Sequence, residues 1–224
     1  MIRNSFGVGP EGWHSYDYHG EIVTGAGIFV LTTWQKEGGI HGGGCIWADQ
    51  SRWSTDVPER PISILALIHY RNWVGLDPID LRGCEVSVYL RGDDLRLYGA
   101  ECYFWVHAPG VRWHFSGNPV PIAEGQWARE PSRFLLENDE TLWHRSYSSE
   151  EFWHRSYPEG GPRLDSVLGN VHSYGFSFVG FSREVQGRLS MAEFEILPGR
   201  YMEKGGKECG EGARSGGQAS RALR

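Results

Sequence analysis

The apolar positions of this chain fall in short runs. Over residues 85–91, Val86, Val88 and Leu90 alternate with Glu85, Ser87 and Arg91, the period of a half-buried strand. Residues 27–34, GIFVLTTW, are β-branched and aromatic and carry no helix cap. Residues 63–70, SILALIHY, form an apolar run suited to a strand buried on both faces. Further strands are predicted at 101–107, 133–137, 174–181 and 187–196. Turn chemistry separates them: Gly92-Asp93-Asp94, Pro109-Gly110 and Asn138-Asp139. The one helix predicted is short, Leu164 to Leu168, stopped by Gly169-Asn170. About eight strands without intervening helices predict an all-β protein, an antiparallel β-sandwich or jelly roll.

Composition supports that class. Of 224 residues, 31 are Gly, about twice the usual ~7%. Ten each of Trp, Tyr and Phe supply enough large side chains to offset backbone entropy, which excludes a disordered chain. The glycines exclude a helical bundle, since each costs about 1 kcal/mol inside a helix. The length suits a single domain over residues 1–200, and the Gly-, Lys-, Arg- and Ser-rich segment 201–224 reads as a flexible tail. A net charge of −6 gives no overall positive field to attract nucleic acid or a membrane surface. No apolar stretch approaches the ~20 residues of a membrane span, and the N-terminus shows no signal-peptide core. The expectation is therefore a cytoplasmic protein, or a secreted one if the chain is part of a longer polypeptide. The four cysteines, Cys45, Cys84, Cys102 and Cys209, lack CxxC spacing and read as free thiols.

Several motifs dissolve on inspection. Gly7-Val8-Gly9-Pro10-Glu11-Gly12 matches a dinucleotide loop but has no strand before it and a proline inside it. His41-Gly42-Gly43-Gly44 resembles an oxyanion loop, yet the chain has no nucleophile elbow to accompany it. Arg91-Gly92-Asp93 fits the turn between two strands. The nine histidines show neither HxH nor HExxH spacing, which argues against catalytic zinc. No cofactor is specified. The metal reading left open is a structural calcium ion, with Glu193 or Glu195 joined by Asp17. One internal repeat stands out: WHRSY at 143–147 recurs at 153–157, as a duplication lengthening one loop or as two copies of an aromatic-basic pentad.

The tryptophans carry the more specific chemistry. Few lie in plain apolar runs. Trp47 precedes Ala48-Asp49, Trp53 lies between Arg52 and Asp56, Trp73 follows Tyr70-Arg71-Asn72, and Trp113 sits between Arg112 and His114. A sugar ring presents a C–H face that aromatic planes cover and a fringe of hydroxyls that Arg, Asp, Asn and His satisfy. The ligand-binding candidates are Trp53, Asp56, Arg71, Trp73, Arg112, Trp113 and Trp143. Catalysis would need either two carboxylates across a cleft, from Asp49, Asp56, Glu59, Asp77 and Asp80, or a lyase set such as Tyr70, Arg71, Arg112 and His114.

Residues 79–93, IDLRGCEVSVYLRGD, together with Gly125-Gln126-Trp127 and the closing 188–196, RLSMAEFEI, resemble the galactose-binding-like β-sandwiches, which include many carbohydrate-binding modules. The resemblance covers about residues 75–197. It implies a jelly-roll sandwich, often with a calcium ion, that binds sugar through its loops, and a carbohydrate ligand as partner. It assigns no binding residue position by position. The sequence thus supports a non-catalytic carbohydrate-binding sandwich, with a polysaccharide lyase or glycoside hydrolase on the same fold, or an intracellular interaction module, as alternatives.

Overall fold

The protein, described by a computed structural model over residues 1–17, 28–50, 64–146, 161–183 and 185–199, folds into two sheets. The first runs β10 (Ala123–Glu124), β7 (Cys84–Arg96), β14 (Gln186–Pro198), β5 (Cys45–Asp49), β4 (Thr33–Gln35). Two further strands join it, β1 (Ile2–Asn4) on β14 and β11 (Ser132–Leu135) on β7. The second runs β12 (Trp143–Ser146), β9 (Val111–Phe115), β8 (Glu101–Ala108), β13 (Ser173–Val179), β6 (Ile64–Tyr70), β2 (Trp13–Asp17), β3 (Ile28–Leu31). The described pairings are antiparallel except β10 with β7. The predicted helix stands at Leu164–Leu168, here α1, and buries Leu164, Val167 and Leu168. Among the described residues, no helix is long and apolar enough to cross a membrane.

The inner faces of the two sheets share one core, which is why every second residue of β7, β8 and β14 is apolar. At its centre Trp13, Tyr174 and Phe176 of the second sheet meet Phe194 of the first. The ring centroids lie 4.8 Å apart for Trp13–Phe194 and 5.7 Å for Tyr174–Phe194. Trp13 can be fully buried because its Nε1–H donates to Asn4 Oδ1 at 3.1 Å.

The structure corrects three sequence expectations. The single strand predicted at 27–34 is two strands, β3 and β4, in opposite sheets; between them the Thr32 hydroxyl donates to the Trp13 carbonyl at 3.0 Å. The turn expected at Gly92-Asp93-Asp94 lies within strand β7: Arg91 and Ser190 both bind Asp93, and Asp94 at φ 51° forms a bulge against Gly187 while β7 stays paired with β14. The chain reverses instead after Leu97, where Tyr98 and Gly99 adopt positive φ and the Ala100 N–H donates to the Leu97 carbonyl. Finally, β2, β5, β9 and β12 occupy stretches for which no strand is predicted.

Cys45, Cys84 and Cys102 are free thiols, and burial pushes all three up. Cys209, the second WHRSY copy and the 201–224 segment lie outside the described residues.

Candidate functional site

Strand alternation sends half of each strand of the second sheet away from the core. On β8, Cys102, Phe104, Val106 and Ala108 point inward, so Tyr103, Trp105 and His107 belong to the outer face. Pairing then sets two rows across the sheet. The first is His144, His114, Trp105, Gly175, Ile68, His14. The second is Arg112, His107, Ser173, Tyr70. Histidine, aromatic and arginine side chains thus converge from six strands that are distant in sequence.

The rows are tightly built. The Arg112 guanidinium lies 4.8 Å from the centroid of the Trp105 ring. On β13 beside it, a Cβ at Gly175 would come within 3.0 Å of Trp105 Cζ2. Leu65 and Ile68 pack with Trp105 in an apolar cluster separate from the main core, with Tyr70 against it. After β6 the chain makes a 3-10 turn at Arg71–Val74, closed by Gly75 in the left-handed region. That turn brings Trp73 back over the sheet. Trp73 stacks on His14 (5.1 Å, 10°) and on Tyr70 (5.2 Å, 24°), and His14 stacks on Tyr70 (5.5 Å, 16°). Trp73 is 56% exposed, whereas Trp105 and His114 are fully buried.

Burial sets the protonation of this face. It lowers His14, an effect partly offset by the hydrogen bond from Nδ1–H to the Gly12 carbonyl. His107 falls to about 4, through burial and then the charge of Arg112. His114 falls well below its usual value for the same two reasons. Burial also raises the Tyr70 phenol. At neutral pH His14, His107 and His114 are uncharged, so each imidazole carries one donor and one acceptor nitrogen. His107 Nδ1 lies 3.1 Å from Ser173 Oγ. Two buried donors of the face, Trp105 Nε1–H and the Ser177 hydroxyl, have no hydrogen-bond partner among the described residues.

Of the residues picked from sequence, this face brings together Trp73 and Arg112, with Tyr70 and His114 of the lyase set. Arg71 turns elsewhere: its Nε donates to the Asp77 carbonyl at 2.6 Å, and its charge acts on the inward-facing His69 and Tyr174. Trp113 and Trp143 point inward and are core residues, 6% exposed each. Trp53, Asp56 and Glu59 lie outside the described residues. Asp49 stands on β5 of the other sheet, and Asp80 is held by Arg82. Glu193 on β14 and Asp17 on β2 belong to different sheets, and Glu195 pairs with Arg3. Among the described residues no three His, Cys, Asp or Glu side chains gather as a metal site.

No protein-family model matches the chain, and no curated protein matches it by sequence. Among solved structures it is similar to two of family 11 carbohydrate-binding modules from Clostridium thermocellum. One, in complex with a β-1,3-1,4-mixed-linked tetrasaccharide, aligns over 75% of this chain and 82% of its own, at 10% identity and a TM-score of 0.43. The other, from a cellulosomal cellulase, aligns over 75% and 80%, at 10% identity and a TM-score of 0.42. The β-sandwich assignment rests on the two sheets themselves.

Proposed function

We propose that the chain is a non-catalytic carbohydrate-binding β-sandwich that holds saccharide on the outer face of its second sheet. One observation carries this reading. Trp73, more than half exposed, is fixed in a three-ring stack with His14 and Tyr70 at the margin of a face whose polar residues include His107 and the buried Arg112 and Ser173. A ring already stacked on its inner side loses little side-chain freedom when a sugar covers the outer side. Neutral imidazoles and the arginine fork match hydroxyls, which both donate and accept. The unpartnered Trp105 Nε1–H and Ser177 hydroxyl add two buried donors to the same face.

Affinity electrophoresis through gels containing neutral and acidic polysaccharides tests the proposal. The wild-type protein is expected to be retarded by at least one of them. Trp73→Ala is expected to weaken that binding at least tenfold, or about 1.4 kcal/mol, with a melting temperature lowered by only a few degrees, since the stacks on His14 and Tyr70 are lost but no core contact is. Absence of retardation in every gel would sink the reading. Release of new reducing ends or unsaturated uronate products during the run would replace it by a lyase or hydrolase acting through Tyr70, Arg112 and His114.

A further inference from the structure

The outer face of the first sheet carries a second set of the same chemical type, built from different residues. On β14, Leu189, Met191 and Phe194 point into the core, so Arg188 and Ser190 face outward. Register places Ser190 between Arg91 of β7 and Trp47 of β5, and Arg188 between Asp93 of β7 and Asp49 of β5. Neighbouring strands stand about 4.8 Å apart, so Trp47 and Arg91 are separated by roughly 10 Å over a small serine floor.

Contacts among these residues fix their planes. The Arg188 guanidinium lies 5.0 Å from the centroid of Trp47, and that of Arg91 lies 4.5 Å from the centroid of Trp127. Trp127 belongs to Gly125-Gln126-Trp127, and its Nε1–H donates to the Gly38 carbonyl at 2.7 Å. Asp93 accepts from Arg91 Nη2 at 3.0 Å and from the Ser190 hydroxyl at 3.2 Å. Two buried donors are left without a partner among the described residues, Trp47 Nε1–H and Arg91 Nε–H. Unlike Trp105, this set stays open to solvent: Trp47 is half-buried and Arg188 is exposed.

We infer that this face is a second saccharide subsite, selective for neutral sugars. The two guanidinium groups and two carboxylates balance, so neither a uronate nor an amino sugar gains from the local field, while both kinds of group hydrogen-bond vicinal hydroxyls. The two Trp rings supply apolar planes. Because the two outer faces lie on opposite sides of the sandwich, the protein is bivalent and bridges two polysaccharide chains. The inference shares its chemistry with the first site but none of its residues, so the two fail separately.

The test is titration calorimetry with neutral hexasaccharides of glucose, xylose, mannose and galactose. Two sites per chain are expected for the wild type. Trp73→Ala should leave one, and Trp47→Ala should leave the other. Arg188→Ala, an exposed change that spares the fold, should weaken the second site at least fivefold. Trp47→Ala and Arg188→Ala both without effect on stoichiometry or affinity would overturn the second site and leave the first standing. Loss of all binding in Trp73→Ala alone would overturn it equally, as would a wild type that binds none of the hexasaccharides. Binding that survives Trp73→Ala unchanged and vanishes in Arg188→Ala would support this site and remove the first.

Discussion

Acidification from pH 7 to about pH 4 is expected to remove several kcal/mol of stability, enough to bring the protein close to unfolding. The cause is buried imidazole. His69 points into the core, stacked on Tyr174 at 5.1 Å and edge-on to Trp13 at 5.5 Å. Burial, then the charge of Arg71, lowers it from 6.5 to about 4, against a smaller opposing hydrogen bond to the Glu11 backbone. His107 falls to about 4 through burial, then Arg112 and His172. His14 and His114 shift the same way. The sign follows from proton counting. Between pH 6.5 and 4 the unfolded chain binds protons that the folded one refuses, so stability is complete above 6.5 and is lost as pH falls toward 4. A shift from 6.5 to about 4 corresponds to up to about 3 kcal/mol per residue, so His69 and His107 together rival the ~5–15 kcal/mol stability of an ordinary domain. The exposed carboxylates Asp80 and Asp139, held below their usual value by Arg82 and Thr141, act only at lower pH. Thermal unfolding followed from pH 7.5 to 4.5 should show a melting temperature that falls steeply below 6.5. A flat profile down to pH 5 would contradict the burial of these rings. His107→Gln, which cannot take up the proton, should flatten part of the slope.

The same rings explain how much could be read from sequence. The sandwich was legible because inward positions of β7 and β14 alternate with polar outward ones, as Val86, Val88 and Leu90 do with Glu85, Ser87 and Arg91. On β9 that signal vanishes. All five residues of Val111–Phe115 are buried, Arg112 and His114 included, so burial there does not follow the alternation that marks a half-buried strand. The site suffers likewise. Trp73 and Trp113 both neighbour arginine or histidine in sequence, but Trp73 reaches the outer face through the 3-10 turn after β6, whereas Trp113 points inward from β9, paired with Val106 of β8 and Arg145 of β12. Trp105, inside the apolar run of β8, gave no polar clue of its own. The available signal was its partner: Gly175 stands alone among large residues in β13, and a lone strand glycine marks a close approach.

Gly175→Ala is the single substitution expected to disturb fold and site together. A methyl group there would lie 2.1 Å from the Leu67 carbonyl oxygen, 3.0 Å from Trp105 Cζ2 and 3.1 Å from Ile68 Cα. Two of these neighbours are backbone of β6, so no rotamer change relieves them. β13 is a central strand, paired to β6 on one side and β8 on the other, so moving it breaks ladders on both edges. Overpacking of a well-filled interior costs about 1–3 kcal/mol, and backbone contacts this close place Gly175→Ala at or beyond the upper end, about 3 kcal/mol. Trp105 must also lift away from the strand, carrying Arg112 with it, so saccharide affinity is expected to fall at least tenfold in the protein that remains folded. Chemical denaturation measures the first effect, and affinity electrophoresis at low temperature the second. A stability within ~0.5 kcal/mol of wild type would mean that β13 and β6 do not approach as described. The opposite substitution supplies the control. Trp105→Phe removes the unpartnered Nε1–H and part of the ring that meets Gly175, so combining it with Gly175→Ala should recover part of the lost stability without restoring saccharide binding.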